Sequence, residues 1–446
     1  MRQERTVQAS IFDLFAGHEI GRELKAMSQW LDERRELIGL VANDLRRHGV
    51  KKTGRQGLSA ESVLRCGLLK QHRQLSYEEL AFHLEDSASF RAFARLPLSW
   101  TPRKSVLHET ISAIRAETWE AINRAVLVDA RHEKIEIGKV VRLDSTVTAA
   151  LMHDPSDSSL LWDAVRVMTK LLQEADTLTG GTLVWRNHQR GAKKRARAIK
   201  FTRGRPNRLQ HYRELIKMAR ATLAYLDQAE TQLRQAPDPM MVMLWQAKLS
   251  HYRPLIERII RQTERRVLRG EQVPASEKIV SLFEPHADII VKGSRDVEYG
   301  HKINLTTGRS GLILDLVIES GNPADSERFL PMLERHIAIY GEAPHQAAAD
   351  GGYASRNNLS QAKARGINDM AFHKKAGLRI EDMVKSRWVY RKLRNFRAGI
   401  EAGISCLKRA YGLARCTWRG LNHFKAYVWS SVVAFNLALH TRLKPA

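Results

Sequence analysis

Cysteine is scarce in this chain of 446 residues: Cys66, Cys406 and Cys416 are too few and too scattered for a disulfide framework or a Cys-based zinc site. No apolar run reaches the ~18 residues needed to cross a bilayer. The opening residues (MRQERTVQAS) lack the apolar centre of a signal peptide. A phosphate-binding glycine loop is missing too, since Arg203-Gly204-Arg205-Pro206 does not have the GxxxxGK[ST] spacing. His153, His301 and His373 have no zinc-like spacing, and no internal repeat or low-complexity tail is visible. These absences predict a chain of the cytoplasm, nucleoid-associated if its partner is DNA.

Acids are also in deficit. Lys and Arg number 73 against 48 Asp and Glu, a net charge of +25. Charge of that size speaks to partners rather than to fold, and the usual partner is nucleic acid. It is concentrated in two places. Arg186 to Arg220 holds thirteen basic residues and one acid, Glu214; Lys385 to Arg419 holds ten and one acid, Glu401.

The second stretch has helical spacing. Arg394, Arg397, Glu401, Ser405 and Lys408 share one face, and Ile400, Ile404, Leu407 and Tyr411 form an apolar stripe beside it. Glu401 is either a simple i−4 partner of Arg397, worth only ~0.3–0.5 kcal/mol, or a ligand at a site that handles polyanions.

Residues 1–135 read as helical. Between Leu58 and Arg95 two or three short helices are expected, with Ser76 and Glu79 forming a capping box. Together with Arg65, Lys70 and Arg73 they resemble a helix-turn-helix unit, and a plain helical bundle is the other reading. Strands are predicted at Lys139–Thr148, Tyr299–Thr307, Gly311–Ser320, His345–Asp350 and Ile367–His373. Helices are predicted at Asp325–Tyr340 and Ala354–Arg365. Asn207–Gln235 and Met240–Arg269 should form an antiparallel hairpin across Ala236-Pro237-Asp238-Pro239, and residues 191–205 a mobile basic loop.

Two more acids stand at telling positions. Asp144 lies in the first strand, and Asp350 ends the run Ala347-Ala348-Ala349 before Gly351-Gly352-Tyr353. If the two strands are parallel neighbours, both carboxylates emerge at one end of the sheet, and the Glu401 helix can add a third. Three converging carboxylates suit Mg²⁺ or Mn²⁺, and a pair of ions about 3.5–4 Å apart serves phosphodiester displacement. Asp154 and Asp157 are expected to cap a helix, with a secondary acidic contact as the other reading. Trp162, Trp388 and Trp418 are expected to be core or interface anchors rather than base-stacking groups.

Several motifs together carry a family resemblance: Leu143-Asp144-Ser145-Thr146, Ala349-Asp350-Gly351-Gly352-Tyr353, Gly300-His301-Lys302, the stretch His153 to Trp162, and Arg397-x3-Glu401-x6-Lys408 followed by Arg409-x-Tyr411-Gly412-Leu413-x-Arg415. The chain resembles the bacterial insertion-sequence transposases of the DDE type, of the ISNCY-like set, with an RNase H-like catalytic domain. One departure is that Arg394 stands where the signature has a tyrosine three residues before the arginine.

The resemblance implies an α/β fold. An RNase H-like mixed five-stranded sheet with flanking helices occupies 136–446, interrupted at about 150–285 by a basic helical insertion. A helical DNA-binding domain precedes it at 1–135. It implies Asp144, Asp350 and Glu401 as catalytic residues and ligands of Mg²⁺ or Mn²⁺, two ions in all. Lys193, Lys194, Arg195, Arg197, Arg394, Arg397, Lys408 and Arg409 are the candidates for DNA contact. The partners expected are the terminal inverted repeats of an element, target DNA, and further copies of the chain in a dimer or larger assembly, with no membrane. The activity implied is cleavage and strand transfer without a covalent protein intermediate. A nuclease that does not join strands, and a non-catalytic DNA-binding regulator, are the alternatives.

Overall fold

The computed structural model describes residues 17–48, 57–97, 100–292, 296–373 and 377–444. The chain forms two compact units, residues 1–151 with 301–446, and residues 152–300. Among the described residues no helix is long and apolar enough to cross a membrane.

In the first unit, α1 (Glu19–Asp32), α2 (Arg35–Arg47), α3 (Ala60–His72), α4 (Tyr77–Asp86), α5 (Ala88–Phe93), α6 (Lys104–Ser112) and α7 (Ala116–His132) precede the sheet. The expected capping box opens α4: the Ser76 N–H donates to Glu79 Oε2 at 2.7 Å, and the Glu79 N–H donates to Ser76 Oγ at 3.1 Å. Helix α3 is buried along its whole length, so Arg65 and Lys70 lie inside the protein, while Arg73, just past its end, is exposed. Arg65 is 1% exposed and bonds to Glu61, Asp32 and Ser28 at 2.7–2.9 Å. Lys70 sits against the rings of Tyr77, Trp418 and Tyr427, and burial pushes its ammonium down to about 8.

The strands are β1 (Val140–Ala149), β2 (Asp288–Lys292), β3 (Asp296–Thr307), β4 (Ile313–Ile318), β5 (Gln346–Ala349) and β6 (Asp369–Phe372). Their order is β2-β3-β1-β5-β6, with β4 also on β3. β1, β5 and β6 are mutually parallel, whereas β4 runs antiparallel to β3, so the sheet is mixed, as an RNase H-like fold requires. The five expected strands are β4-β3-β1-β5-β6. The sixth, β2, arises because β3 is longer than predicted. Its first half, in the second unit, pairs with β2, and its second half, in the first unit, pairs with β4.

Ile303, Leu305, Ile313 and Leu316 pack into a core with α1–α7 and the last helix, α16 (Leu421–Leu443). Val141, Leu143, Leu314, Ala347, Ala348, Ala349, Met370 and Phe372 belong to a second core with α12 (Asp325–Tyr340), α13 (Arg356–Ala364), the short α14 (Ile380–Met383) and α15 (Arg387–Ala410). α16 is buried for most of its length, so its polar groups need internal partners. Asn436 meets this need by accepting from the Ile313 N–H at 2.9 Å and donating to the Ile313 carbonyl at 2.8 Å, which satisfies the backbone at the start of β4.

The second unit is built from α8 (Asp157–Leu178), α9 (Gln189–Phe201), α10 (Arg205–Gln232) and α11 (Pro239–Thr263) around their own apolar core. Arg253 of α11 pairs with Glu230 of α10 at 2.8 Å, and Arg220 of α10 pairs at 2.8 Å with Glu264, the residue just past α11, so the two helices run antiparallel, as the hairpin reading expected. Two expectations fail here. Residues 191–205 are mostly helix rather than loop: Ala192 and Ile199, seven apart, dock α9 on the core, and the Lys and Arg between them are good helix formers. The cap of α8 is Ser156, in a box with Ser159, not Asp154 or Asp157; Asp157 is buried and paired with Arg266 at 3.0 Å.

Candidate active site

The register of β1 on β5 sets the first two carboxylates. Leu143 is the partner of Ala349 in a parallel pair. Asp144 and Asp350, the next residues, therefore emerge side by side, at about the 4.8 Å spacing of neighbouring strands. β5 ends there. Asp350 stands just before a short 3-10 turn over Gly351–Tyr353, and its side chain makes no capping bond to it. Gly352 is needed for close approach rather than for an unusual φ: a Cβ there would come within 2.8 Å of Asp325 Oδ2. β1 runs on, and the Ala149 N–H bonds to the Ala414 carbonyl at 3.1 Å while its own carbonyl accepts from the Cys416 N–H at 2.8 Å. That ties the segment around Arg415 to the same strand.

Glu401 arrives on α15. Ser386 caps the helix, and Val389, Leu393, Ile400 and Leu407 bury one side of it against the sheet. Arg142 sets its position. It shares a face of β1 with Asp144, two residues on. Its guanidinium donates to the Phe396 carbonyl at 2.7 Å and to Thr307 Oγ1 at 2.8 Å, with its carbon 4.6 Å from the Phe396 ring centre. Gly399 makes room for it, since any Cβ there would collide with the Arg142 Nη1. Sequence reasoning missed this anchor, although its i−2 relation to Asp144 was readable.

The three carboxylates meet at one group, the guanidinium of Arg397. Its Nη1 lies 2.7 Å from Glu401 Oε1, and its Nη2 lies 3.0 Å from Asp144 Oδ2 and 3.3 Å from Asp350 Oδ1. Arg397 is buried, the Asp144 side chain nearly so, and Glu401 is 63% exposed. The simple Arg397–Glu401 pair is therefore present, but it is one limb of a three-way contact. Below it, Tyr353 is fully buried and donates to Asn304 Oδ1 at 2.8 Å. Burial, reinforced by Asp325, Asp144 and Asp350, holds its phenol well above the ordinary tyrosine range.

Among the described residues, no three His, Cys, Asp or Glu side chains are grouped to hold a metal ion as they stand. The donor chemistry nevertheless fits a hard divalent cation: three carboxylates already converge on one positive centre.

Two known families match parts of the chain. Residues 292–437 match the family described as Transposase DDE domain, and residues 15–117 match a second, Transposase domain (DUF772). This chain is an insertion-sequence DDE transposase. No curated protein and no solved structure matches it. The matched DDE stretch of the transposase contains Asp350, Arg397 and Glu401. Asp144 precedes that stretch and is brought in by strand register and by Arg397.

The other candidate residues are placed as follows. Lys193, Lys194 and Arg197 are exposed on α9, while Arg195 is half-buried and paired with Glu214. Arg394 and Arg409 are exposed on α15 and Lys408 is half-buried. Arg397 does not face solvent with them. His301 is a buried strand residue, its Nδ1 3.0 Å from the Glu319 carbonyl. Trp418 is core and Trp162 half-buried, but Trp388 is 61% exposed and so is not a core residue.

Proposed function

We propose that this transposase binds the terminal inverted repeats of its element, cleaves the DNA there and joins the freed ends to target DNA, with Asp144, Asp350 and Glu401 as its catalytic residues. The observation that supports this reading most is the meeting of those three carboxylates on one guanidinium.

In the reaction, water attacks a phosphodiester, forming one P–O bond and breaking another to leave a 3′-hydroxyl. That hydroxyl then attacks a target phosphate and displaces the target's own 3′-oxygen. Divalent ions, Mg²⁺ or Mn²⁺, would be held by Asp144, Asp350 and Glu401; when bound they activate the attacking oxygen and stabilise the leaving one. Asp144 and Asp350 are fixed by adjacent strands, so their backbones need not move to take a cation. Glu401, exposed on a docked helix, is free to turn its carboxylate. Arg397 balances the acids in the protein alone, and with cations in its place its planar fork would suit a phosphate. Arg394, Lys408 and Arg409 lie on the same helix to hold the backbone of the strand.

The test uses purified protein and DNA carrying the sequences that flank the gene. Nicking and strand joining should both appear with Mg²⁺ or Mn²⁺ and disappear with EDTA. Undiminished cleavage in EDTA would sink the metal-dependent reading, and cleavage with no joined product under any condition would reduce the function to that of a nuclease.

A further inference from the structure

Helix α15 has a second feature that the carboxylate site does not use. Its buried side carries Val389, Leu393, Ile400 and Leu407. The opposite side carries Arg387, Trp388, Arg391, Arg394, Ala398 and Ala402, all exposed. Trp388, on the first turn after the Ser386 cap, has 61% of its surface in solvent, and Lys392 Nζ lies 5.1 Å from its ring centre one turn on. Lys385, Arg387, Arg391, Lys392 and Arg394 form no ion pair among the described residues, and nearby Asp382 is taken by Arg379 at 3.0 Å. The outcome is an exposed indole set in uncompensated positive charge, on the helix that holds Glu401.

An exposed aromatic among unpaired cations fits a polyanion that carries planar rings. Self-association through this face would press its cations against one another, so a second copy is the poorer occupant. The exposed Ala398 and Ala402 leave room beside Glu401 for a strand to pass.

We propose that Trp388 is the stacking platform of a nucleic-acid subsite on α15, taking an unpaired base of a strand whose phosphates follow Arg387, Arg391 and Arg394 toward Glu401. The proposal rests on the DNA reading above. It also gives a distance. Thirteen residues of helix separate Trp388 from Glu401, about 20 Å at 1.5 Å per residue. At about 3.4 Å per nucleotide this is roughly six nucleotides from the cleaved phosphate. Only a base out of its duplex offers a free face to the indole, so the subsite favours frayed or single-stranded DNA.

The test measures equilibrium binding of the full chain to two probes of one sequence, a fully paired duplex and the same duplex with a single-stranded overhang. Trp388→Ala should weaken overhang binding between about 5- and 150-fold and leave duplex binding nearly unchanged. Trp388→Phe should restore most of the loss. The ring is exposed, so circular dichroism and thermal unfolding should be those of the wild type. Wild-type overhang affinity in Trp388→Ala overturns the subsite alone, as does a change in sedimentation from dimer to monomer with DNA affinity intact, which would assign the ring to an interface between copies. A wild-type protein that binds neither probe overturns the DNA reading itself.

Discussion

Helices α9 and α15 look alike in sequence and differ in how they use their charge. Both are dense in Lys and Arg, and each stretch has a single acid, Glu214 near the first and Glu401 in the second. On α9 only Ala192 and Ile199 are buried, and Lys193, Lys194 and Arg197 point to water. On α15 one cation, Arg397, is drawn inside and surrounded by acids from β1, from the end of β5 and from its own helix. The difference teaches that charge density marks a surface, whereas the burial of one charge marks a site. A solvated cation costs nothing to keep; a buried one persists only where carboxylates offset its lost hydration.

The comparison breaks most sharply at the carboxylates. Asp144→Asn, Asp350→Asn and Glu401→Gln should each reduce end cleavage by more than about 100-fold, beyond what loss of an outlying metal-site partner gives, while end binding stays near wild type. Gel assays of cleavage and binding on the same preparation measure both. Wild-type cleavage by Glu401→Gln would return Glu401 to a mere partner of Arg397.

A smaller effect is expected from Arg397→Gln. Three acids would be left facing one another, and the metal-free protein should lose about 1–3 kcal/mol. Mg²⁺ should then raise the unfolding temperature of the variant more than that of the wild type, because a bound cation stabilises the folded state in place of the guanidinium. Equal Mg²⁺ shifts in the two proteins would show that the guanidinium and the ions do not share a place.

On α9 the changes should be smallest in stability and visible mainly in salt dependence. Lys193→Ala, Lys194→Ala and Arg197→Ala should each lower the log–log salt slope of DNA binding by about 0.9, with stability within about 0.5 kcal/mol of wild type. Arg195→Ala should change the slope less, since Glu214 already holds that guanidinium. An unchanged slope in the triple variant would make α9 a solvated surface only.

Much of the site was legible in advance. Asp350 ends an apolar run before two glycines, Asp144 sits in a β-branched strand, and Glu401 lies beside an apolar stripe; these local signals placed each acid on its element. The role of Arg397 was not legible, because nothing in its spacing says that two acids far away in sequence will meet its other nitrogen. Arg65 and Lys70 misled for the same reason: as sequence they are surface cations, and only the packing of α3 between its neighbours buries them. For Trp388 the sequence left core and interface open, and the docking of α15, which leaves the ring in water, removes only the core reading.

The sequence by itself determined the positive partner-seeking charge, the succession of helices and strands, the capping of α4 and the element on which each of the three acids lies, because those depend on composition and on periods of two and 3.6 residues. Only the tertiary structure decided which acids meet. The parallel register of Leu143 with Ala349 sets Asp144 beside Asp350, and the Arg142 bond to the Phe396 carbonyl fixes the helix that carries Glu401. Such contacts join residues far apart in the chain, and their energy exists only once the sheet and its covering helix have closed the distance.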